Sequence, residues 1–263
     1  MKYAWKPIST NQKDQLSVRV FSTRQALGDA AGQEVADLLM KLLSSQHKVN
    51  VLFASAPSQN EFLETLSMQP GIDWSRVTAM HVDEYIGLAP GAPQTFANYL
   101  RQHLFDVVCP GVVHYLDGSP NDLDVECARY TAVLRENPVD ILCAGIGENG
   151  HLAFNDPGVA NFLDPAMVKV VELDKTCRFQ QIHDGSFMDI AEVPKRAITL
   201  TIPALLASRW VYCIVPGSSK ADAVKETLCG GISQKLPASI LRIHPRSLLY
   251  LDAESAAKWS EAR

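Results

Sequence analysis

The chain has 263 residues, of which 47% are hydrophobic and 20% are charged, and its formal net charge is −5. A chain of this length and composition can bury a substantial core, which excludes an intrinsically disordered protein. Its mild acidity argues against a dedicated nucleic-acid-binding protein, because such proteins usually present a basic face.

The sequence carries no pattern typical of a membrane or exported protein. No apolar run approaches the roughly 18–20 residues that cross a bilayer. Residues 1–19 are polar and lack the apolar core of a signal peptide. The six cysteines are scattered, without the spacing of a metal site. We therefore expect a cytoplasmic protein with reduced, structural cysteines, no bound metal and neither a membrane nor a nucleic-acid partner.

The first half of the chain alternates short β-branched runs with longer amphipathic stretches. Thr23 is a candidate N-cap for a helix that carries apolar residues at helical spacing as far as Leu42. The same pattern predicts strands at residues 17–21, 49–54, 76–82 and 139–144, and helices at 60–68, about 94–108 and 126–136.

The second half continues the alternation. Strands are predicted at residues 197–202, 210–215 and 247–252, and a helix is predicted at 218–228 with Ser218 or Ser219 as its cap. This order is typical of an α/β fold. We expect one Rossmann-like domain over residues 1–263, with a mostly parallel sheet flanked by helices on both faces.

In sheets of this kind, ligands bind beyond the carboxyl ends of the strands. Three such ends carry unusual residues: 55–60 (SAPSQN), 83–85 (DEY) and 145–157 (GIGENGHLAFNDP). The glycines of the third segment allow close backbone approach. From the residues alone, the acid pair could be a solvated loop or a cap for the next helix, and the third segment could be a tight turn around a core histidine. A lone G-x-G-x-x-G pattern is weak evidence for a dinucleotide site.

Two longer motifs carry a family resemblance. Residues 80–88 (MHVDEYIGL) resemble the DEY-x-GL motif of glucosamine-6-phosphate deaminases, and residues 145–157 resemble that family's G-x-G-x-DGH-x-AFNEP motif. The segments VPK, PGSSK and LRIHP follow in the family's order, and the similarity runs from about residue 15 to residue 252. The related 6-phosphogluconolactonases share the fold and the glycine–histidine turn but lack this combination of motifs.

The resemblance implies an enzyme without a cofactor that converts glucosamine 6-phosphate and water to fructose 6-phosphate and ammonia. The cyclic sugar is opened, a proton moves between C2 and C1, and the amine leaves. Asp83 matches the base that moves this proton, and Glu84 is expected to support the site or to face away from it. His151 matches the residue that opens the ring, a role that suits an imidazole.

The sequence departs from the family beside that histidine. Asn149 stands where the family has an Asp, and Asp156 stands where it has a Glu. An amide can hydrogen-bond but cannot act as a base, so the proton relay or the substrate must differ. Glu148 would supply the missing carboxylate only if its side chain pointed inward. We expect ring opening to be the impaired step and Asn149→Asp to raise turnover.

The resemblance also implies a phosphate site. Ser55, Ala56 and Ser58 follow a strand and lead into a helix, where backbone N–H groups can hold an anion, although Pro57 removes one donor. Lys220 matches a phosphate-binding lysine of the family. The remaining binding residues inferred from the resemblance are Gly147 in the glycine turn and Arg178, the nearest counterpart of a phosphate arginine.

The partner implied by the resemblance is a small sugar phosphate. The family includes monomers and hexamers, so a homo-oligomer stays open, as does galactosamine 6-phosphate as the substrate. Two other functions also stay open. One is a 6-phosphogluconolactonase-type hydrolase. The other is a non-catalytic sugar-phosphate-binding protein that lost its carboxylate at position 149.

Overall fold

The computed structural model describes residues 5–89 and 91–260, in which eleven strands form two sheets. The strands are β1 (Ser9–Lys13), β2 (Leu16–Phe21), β3 (Val49–Phe53), β4 (Val77–His81), β5 (Asp83–Tyr85), β6 (Val112–His114), β7 (Ile141–Ala144), β8 (Val168–Glu172), β9 (Arg196–Leu200), β10 (Trp210–Val215) and β11 (Ser247–Asp252).

The main sheet has eight strands in the order β1-β2-β11-β10-β7-β3-β4-β6. Only the edge pair β1–β2 is antiparallel among them. The chain runs outward from β3 through β4 to β6 on one side, and from β7 through β10 to β11 on the other. Phe53 of β3 lies level with Cys143 of β7 and with His81 of β4. The carboxyl ends of these strands therefore meet where the strand order reverses, which is the usual ligand position in open α/β sheets.

Helices cover both faces of the main sheet. They are α1 (Arg24–Leu43), α2 (Asn60–Ser67), α3 (Phe96–Leu100), α4 (Asp106–Val108), α5 (Leu123–Glu136), α6 (Lys175–His183), α7 (Ile202–Leu206), α8 (Ala221–Cys229) and α9 (Ala257–Ser260). A π-helical turn at Arg101–Phe105 joins α3 to α4. None of these helices is long and apolar enough to cross a membrane.

Alternate residues of each central strand enter two separate cores. On β10, Cys213 packs with α5 and α8 residues such as Tyr130 and Val224, whereas Ile214 packs with α1 residues such as Leu39. This alternation is what a sheet buried on both faces requires. The predicted fold, a mostly parallel α/β sheet flanked by helices, is confirmed. The prediction that residues 1–263 form one domain stays a prediction.

The second sheet was not foreseen. The strand predicted at residues 197–202 is β9, but it lies outside the main sheet and pairs antiparallel with both β5 and β8. The acid pair itself forms β5, with Asp83 opposite Thr199 and Glu84 opposite Ile198. This small sheet holds the segment after β4 in an extended, buried conformation rather than leaving it as a solvated loop.

Two predicted helix caps have different outcomes. Thr23 caps α1, since its hydroxyl accepts a hydrogen bond from the Ala26 N–H at 3.1 Å. The caps proposed for residues 218–228 are wrong, because the segment begins with a 3₁₀ turn at Ser218–Lys220 that has no side-chain cap, and α8 starts only at Ala221.

Candidate active site

A cavity opens at the carboxyl ends of β3, β4 and β7. Most of the residues that the sequence singled out line it together: Ser55, Ala56, Ser58, Asp83, Gly147, His151 and Lys220. They come from four separate parts of the chain, which the reversal of strand order brings to one edge of the sheet. Asn149 and Asp156 lie behind His151 and contact its ring.

Asp83 is 6% exposed and borders the cavity. Within the described residues, no hydrogen bond reaches its carboxylate. Burial raises the pKa of Asp83 well above its usual value, and the neighbouring Glu84 adds to this. A carboxylate with these surroundings is a stronger base than an exposed one and faces open space in which a substrate proton could lie.

His81, which is fully buried, holds the backbone of Asp83 by a hydrogen bond. His81 Nε2 accepts the Leu116 N–H at 2.9 Å, so Nδ1 carries the proton and donates to the Asp83 carbonyl at 2.8 Å. Burial lowers the pKa of His81 to about 4, which keeps this neutral tautomer in place. The Tyr130 hydroxyl donates to the His81 carbonyl at 2.9 Å and fixes the end of β4.

Glu84 has a structural role. Its carboxylate accepts the N–H groups of Tyr85, Phe96 and Ala97 at 2.9–3.0 Å, and it thereby ties β5 to the first turn of α3. Burial raises the pKa of Glu84 to about 7 despite these bonds. The side chain points away from the substrate cavity, as the sequence suggested.

His151 sits on the glycine turn after β7. Its Nδ1 lies 2.8 Å from Asn149 Oδ1 and 3.0 Å from Asp156 Oδ1, two acceptors that place the proton on this nitrogen. With a proton on Nδ1, Nε2 is the nitrogen whose lone pair can accept a proton from a ligand. Gly147 is required by the ring, because a Cβ at this position would lie 2.2 Å from His151 Cε1.

Asp156 is fully buried and acts as the carboxylate partner of His151. It also accepts hydrogen bonds from Asn149 Nδ2 at 3.0 Å and from the Asp174 N–H at 3.4 Å. Burial alone would raise the pKa of Asp156, but the contacts with His151, Asn149 and the Asp174 N–H outweigh it and lower the pKa. The carboxyl group is thereby kept ionised.

Asn149 links these groups through both atoms of its amide. The oxygen accepts the His151 backbone N–H at 3.0 Å, and the Nδ2 group also lies 3.3 Å from Asp174 Oδ2. An amide can serve both sides because it is a donor and an acceptor at once. Glu148 does not replace the family Asp, since its carboxylate turns toward His183, with 3.3 Å between Oε2 and Nδ1.

Lys220 also lines the cavity and is 4% exposed. No ion pair or hydrogen bond with a described residue reaches its ammonium group. Burial lowers the pKa of Lys220, which nearby Asp184 and Glu148 partly offset. The hydroxyl of Ser55 is also buried and has no partner in the part of the chain that the structure describes. Buried polar groups of this kind are costly unless a ligand satisfies them.

Arg178 does not reach the cavity. Its guanidinium donates to the carbonyl of Val193 at 2.9 Å and to that of Ile190, so it holds the segment that leads from α6 to β9. Binding of phosphate by Arg178, predicted from the resemblance, is not supported by this position.

Two residues of α6, Gln180 and Gln181, and its C-cap residue Asp184 line the cavity and were missed. Gln180 accepts the Glu148 N–H at 2.8 Å, and Gln181 contacts the Tyr85 hydroxyl. Asp174 caps this helix through the Cys177 N–H at 2.6 Å. An Asp before a nine-residue segment of ordinary helix formers was the available signal.

The fold and the cavity are those of an α/β enzyme. Residues 22–250 match the family described as glucosamine-6-phosphate isomerases/6-phosphogluconolactonase, and the chain belongs to this family.

Individual relatives lie on the deaminase side of the family. A glucosamine-6-phosphate deaminase of Lactobacillus delbrueckii subsp. bulgaricus is 35% identical over 227 residues, which are 86% of this chain and 94% of that protein. A glucosamine-6-phosphate deaminase of Bacillus cereus is 37% identical over 191 residues, 73% of this chain and 71% of that protein.

Solved structures agree with this placement. A monomeric glucosamine-6-phosphate deaminase superposes with a TM-score of 0.84 at 28% identity and covers 92% of this chain and 99% of that chain. A 6-phosphogluconolactonase of Thermotoga maritima has a TM-score of 0.73 at 20% identity, over 90% of this chain and 99% of that chain. At 20% identity, the similarity to the 6-phosphogluconolactonase shows only that the two chains share a fold.

Proposed function

We propose that the chain converts glucosamine 6-phosphate, or a closely related hexosamine 6-phosphate, and water to a ketose 6-phosphate and ammonia. The observation that carries this proposal is the position of Asp83. Its carboxylate faces the same cavity as His151 and Lys220. The transfer of a proton from C2 to C1 requires a base at the position of Asp83. A lactone hydrolase, which activates water, has no need of a base at that position.

His151 acts first, on the closed sugar. The Nε2 atom accepts the proton of the O1 hydroxyl and returns it to the ring oxygen as the C1–O5 bond breaks. Asp156 and Asn149 hold Nδ1 on their oxygens at 3.0 and 2.8 Å, so the ring presents Nε2 to the substrate throughout. The buried, ionised carboxylate of Asp156 stabilises the imidazolium form that exists between the two transfers.

Asp83 then moves the carbon-bound proton. It takes the proton from C2 and delivers it to C1, which leaves an imine at C2. Water adds to this imine, and the amine departs as ammonia. The raised pKa of Asp83 suits this role, because a base whose pKa is closer to neutrality can also give the proton back.

Lys220 and the Ser55–Ser58 loop are proposed to hold the 6-phosphate. The buried ammonium group and the unpartnered Ser55 hydroxyl supply a cation and a donor that the described residues leave unused. The cytoplasmic location, the action of the protein without a cofactor and its oligomeric state stay predictions.

Ammonia release from a panel of substrates tests the proposal. The panel is glucosamine 6-phosphate, galactosamine 6-phosphate and 6-phosphogluconolactone, and lactone opening is followed in parallel. We expect ammonia from at least one hexosamine 6-phosphate and no acceleration of lactone hydrolysis. Lactone hydrolysis without ammonia release would support the hydrolase instead, and binding without any turnover would support a sugar-phosphate-binding protein.

A further inference from the structure

The side of His151 that faces away from the cavity carries a second feature. Cys177 lies in the first turn of α6, is 1% exposed, and its thiol is in contact with Asp156. A ring nitrogen of His151, a carboxylate oxygen of Asp156 and the Cys177 sulfur all lie within 4.8 Å of one another. Among residues 5–89 and 91–260, no other three His, Cys, Asp or Glu donors are gathered this closely.

This donor set matches the preference of zinc. Zn²⁺ takes sulfur, imidazole nitrogen and carboxylate oxygen at about 2.0–2.3 Å, so the donors around one ion lie roughly 3–4 Å apart. The 3.0 Å between His151 Nδ1 and Asp156 Oδ1 is close to this spacing. A thiolate in the set favours zinc over the hard cations magnesium and calcium.

We propose that His151, Asp156 and Cys177 form an inhibitory Zn²⁺ site behind the catalytic histidine. The ion replaces the proton of the Cys177 thiol, which leaves to solvent, and the Nδ1 proton of His151 moves through solvent to Nε2, so that the thiolate, the Nδ1 lone pair and the Asp156 carboxylate all bind the ion. Three protein donors leave a fourth position, and Asn149 Oδ1 lies 2.8 Å from the same nitrogen. The cavity that His151 borders provides the entry path.

Inhibition follows from the geometry and rests on the proposed function. With zinc bound, Asp156 no longer holds a proton on Nδ1, so it cannot stabilise an imidazolium form of His151. The thiol of Cys177 is not needed for proton transfer in the proposed reaction.

Cobalt spectroscopy tests the site without any measurement of turnover. The protein, freed of metal with a chelator, is titrated with Co²⁺ and then with Zn²⁺. We expect one Co²⁺ per chain with a thiolate-to-cobalt charge-transfer band, which Zn²⁺ removes. Cys177→Ser should abolish the band and weaken zinc binding at least about tenfold, and Asp156→Asn should weaken cobalt binding.

Matched controls are Cys109→Ser and Cys229→Ser, because both thiols are exposed. These variants should keep the band unchanged. The site is overturned if wild type shows no charge-transfer band, if the band persists in Cys177→Ser, or if it depends on either exposed cysteine.

The effect on turnover is measured separately as ammonia release at increasing Zn²⁺, each variant being compared with its own metal-free rate. We expect reversible inhibition of wild type that needs at least about tenfold more zinc in Cys177→Ser. Zinc that binds through Cys177 but leaves turnover unchanged would overturn the inhibitory role. If no sugar phosphate is turned over, the proposed function fails, and the cobalt spectrum still decides the site.

Discussion

Two sets of polar groups in the candidate site differ in how they are satisfied. In the paired set, His151 Nδ1, the Asn149 amide and the Asp156 carboxylate are joined in one hydrogen-bonded group. In the unpaired set, the buried Lys220 ammonium and the Ser55 hydroxyl have no partner among the described residues. The paired set is organised before substrate arrives, whereas the unpaired set is completed by the substrate's anion.

The largest expected effect comes from Asp83, which lines the same cavity and belongs to neither set. Asp83→Asn should lower ammonia release by about 10²–10⁴-fold, because the loss of a general base typically costs this much. Binding of the sugar phosphate should persist, since the substitution changes no residue of the paired or the unpaired set. Turnover and exchange of the C2 proton with deuterated solvent check this. Asp222→Asn, on the exposed face of α8, is the control and should behave as wild type.

The pH dependence of the same step follows from the raised pKa of Asp83. The base must be deprotonated, so kcat/KM should fall as the pH drops through a value above the usual range of an Asp. A pH–rate profile of wild type from acid to neutral conditions measures this limb. A limb at the ordinary Asp value would show that Asp83 is not desolvated as described.

Lys220→Met removes the cation of the unpaired set. We expect the affinity for hexosamine 6-phosphates to fall about 10–100-fold, the range for a lost charged hydrogen bond. The affinity for unphosphorylated glucosamine should not change. The free energy of unfolding without ligand should rise, because a buried and uncompensated charge is lost. Calorimetric binding and denaturant unfolding measure both, with exposed Lys235→Met as the control.

Asn149→Asp tests the paired set. The sequence predicts that this substitution raises turnover, and the geometry predicts the opposite. A carboxylate would place an oxygen where Nδ2 now lies 3.0 Å from Asp156 and 3.3 Å from Asp174. Like charges repel at this distance. We expect turnover to fall by about tenfold or more through displacement of His151. Steady-state kinetics measure this change. A rise in turnover would contradict the expected fall and would support the sequence-based prediction that Asn149 impairs ring opening.

The smallest effect on turnover is expected from the support beneath Asp83, where the readout is stability. The pKa of His81 is about 4 in the folded chain and about 6.5 when unfolded. The contribution of the neutral His81 to the free energy of unfolding is therefore complete above pH 6.5 and is lost as the pH falls toward 4. The total loss is about 3 kcal/mol. The pH dependence of unfolding should be flatter by this amount in His81→Gln. Exposed His47→Gln should keep the wild-type slope.

The sequence predicted the main sheet well because its central strands are buried on both faces. Runs such as residues 139–144 and 210–215 need no partner information to be recognised as strands. Residues 196–200 have the same character, yet they pair antiparallel with β5 and β8. Which sheet a strand joins depends on distant segments and is not contained in its own residues.

The candidate site divides in a similar way. Asp83, His151 and Lys220 follow strands and belong to recognisable motifs, and the structure brings them to one cavity. Gln181 on α6 carries no motif, and the direction of Arg178 toward two backbone carbonyls depends on how the segment after α6 folds. Side-chain direction of this kind is set by tertiary contacts.

We infer that the paired set works on the sugar ring and that the unpaired set holds the phosphate. A crystal structure of Asp83→Asn with glucosamine 6-phosphate tests this inference most directly. We expect the phosphate within hydrogen-bond distance of Lys220 Nζ and Ser55 Oγ, and the ring oxygen beside His151 Nε2. A phosphate bound near His151, or outside the cavity, would contradict the claim.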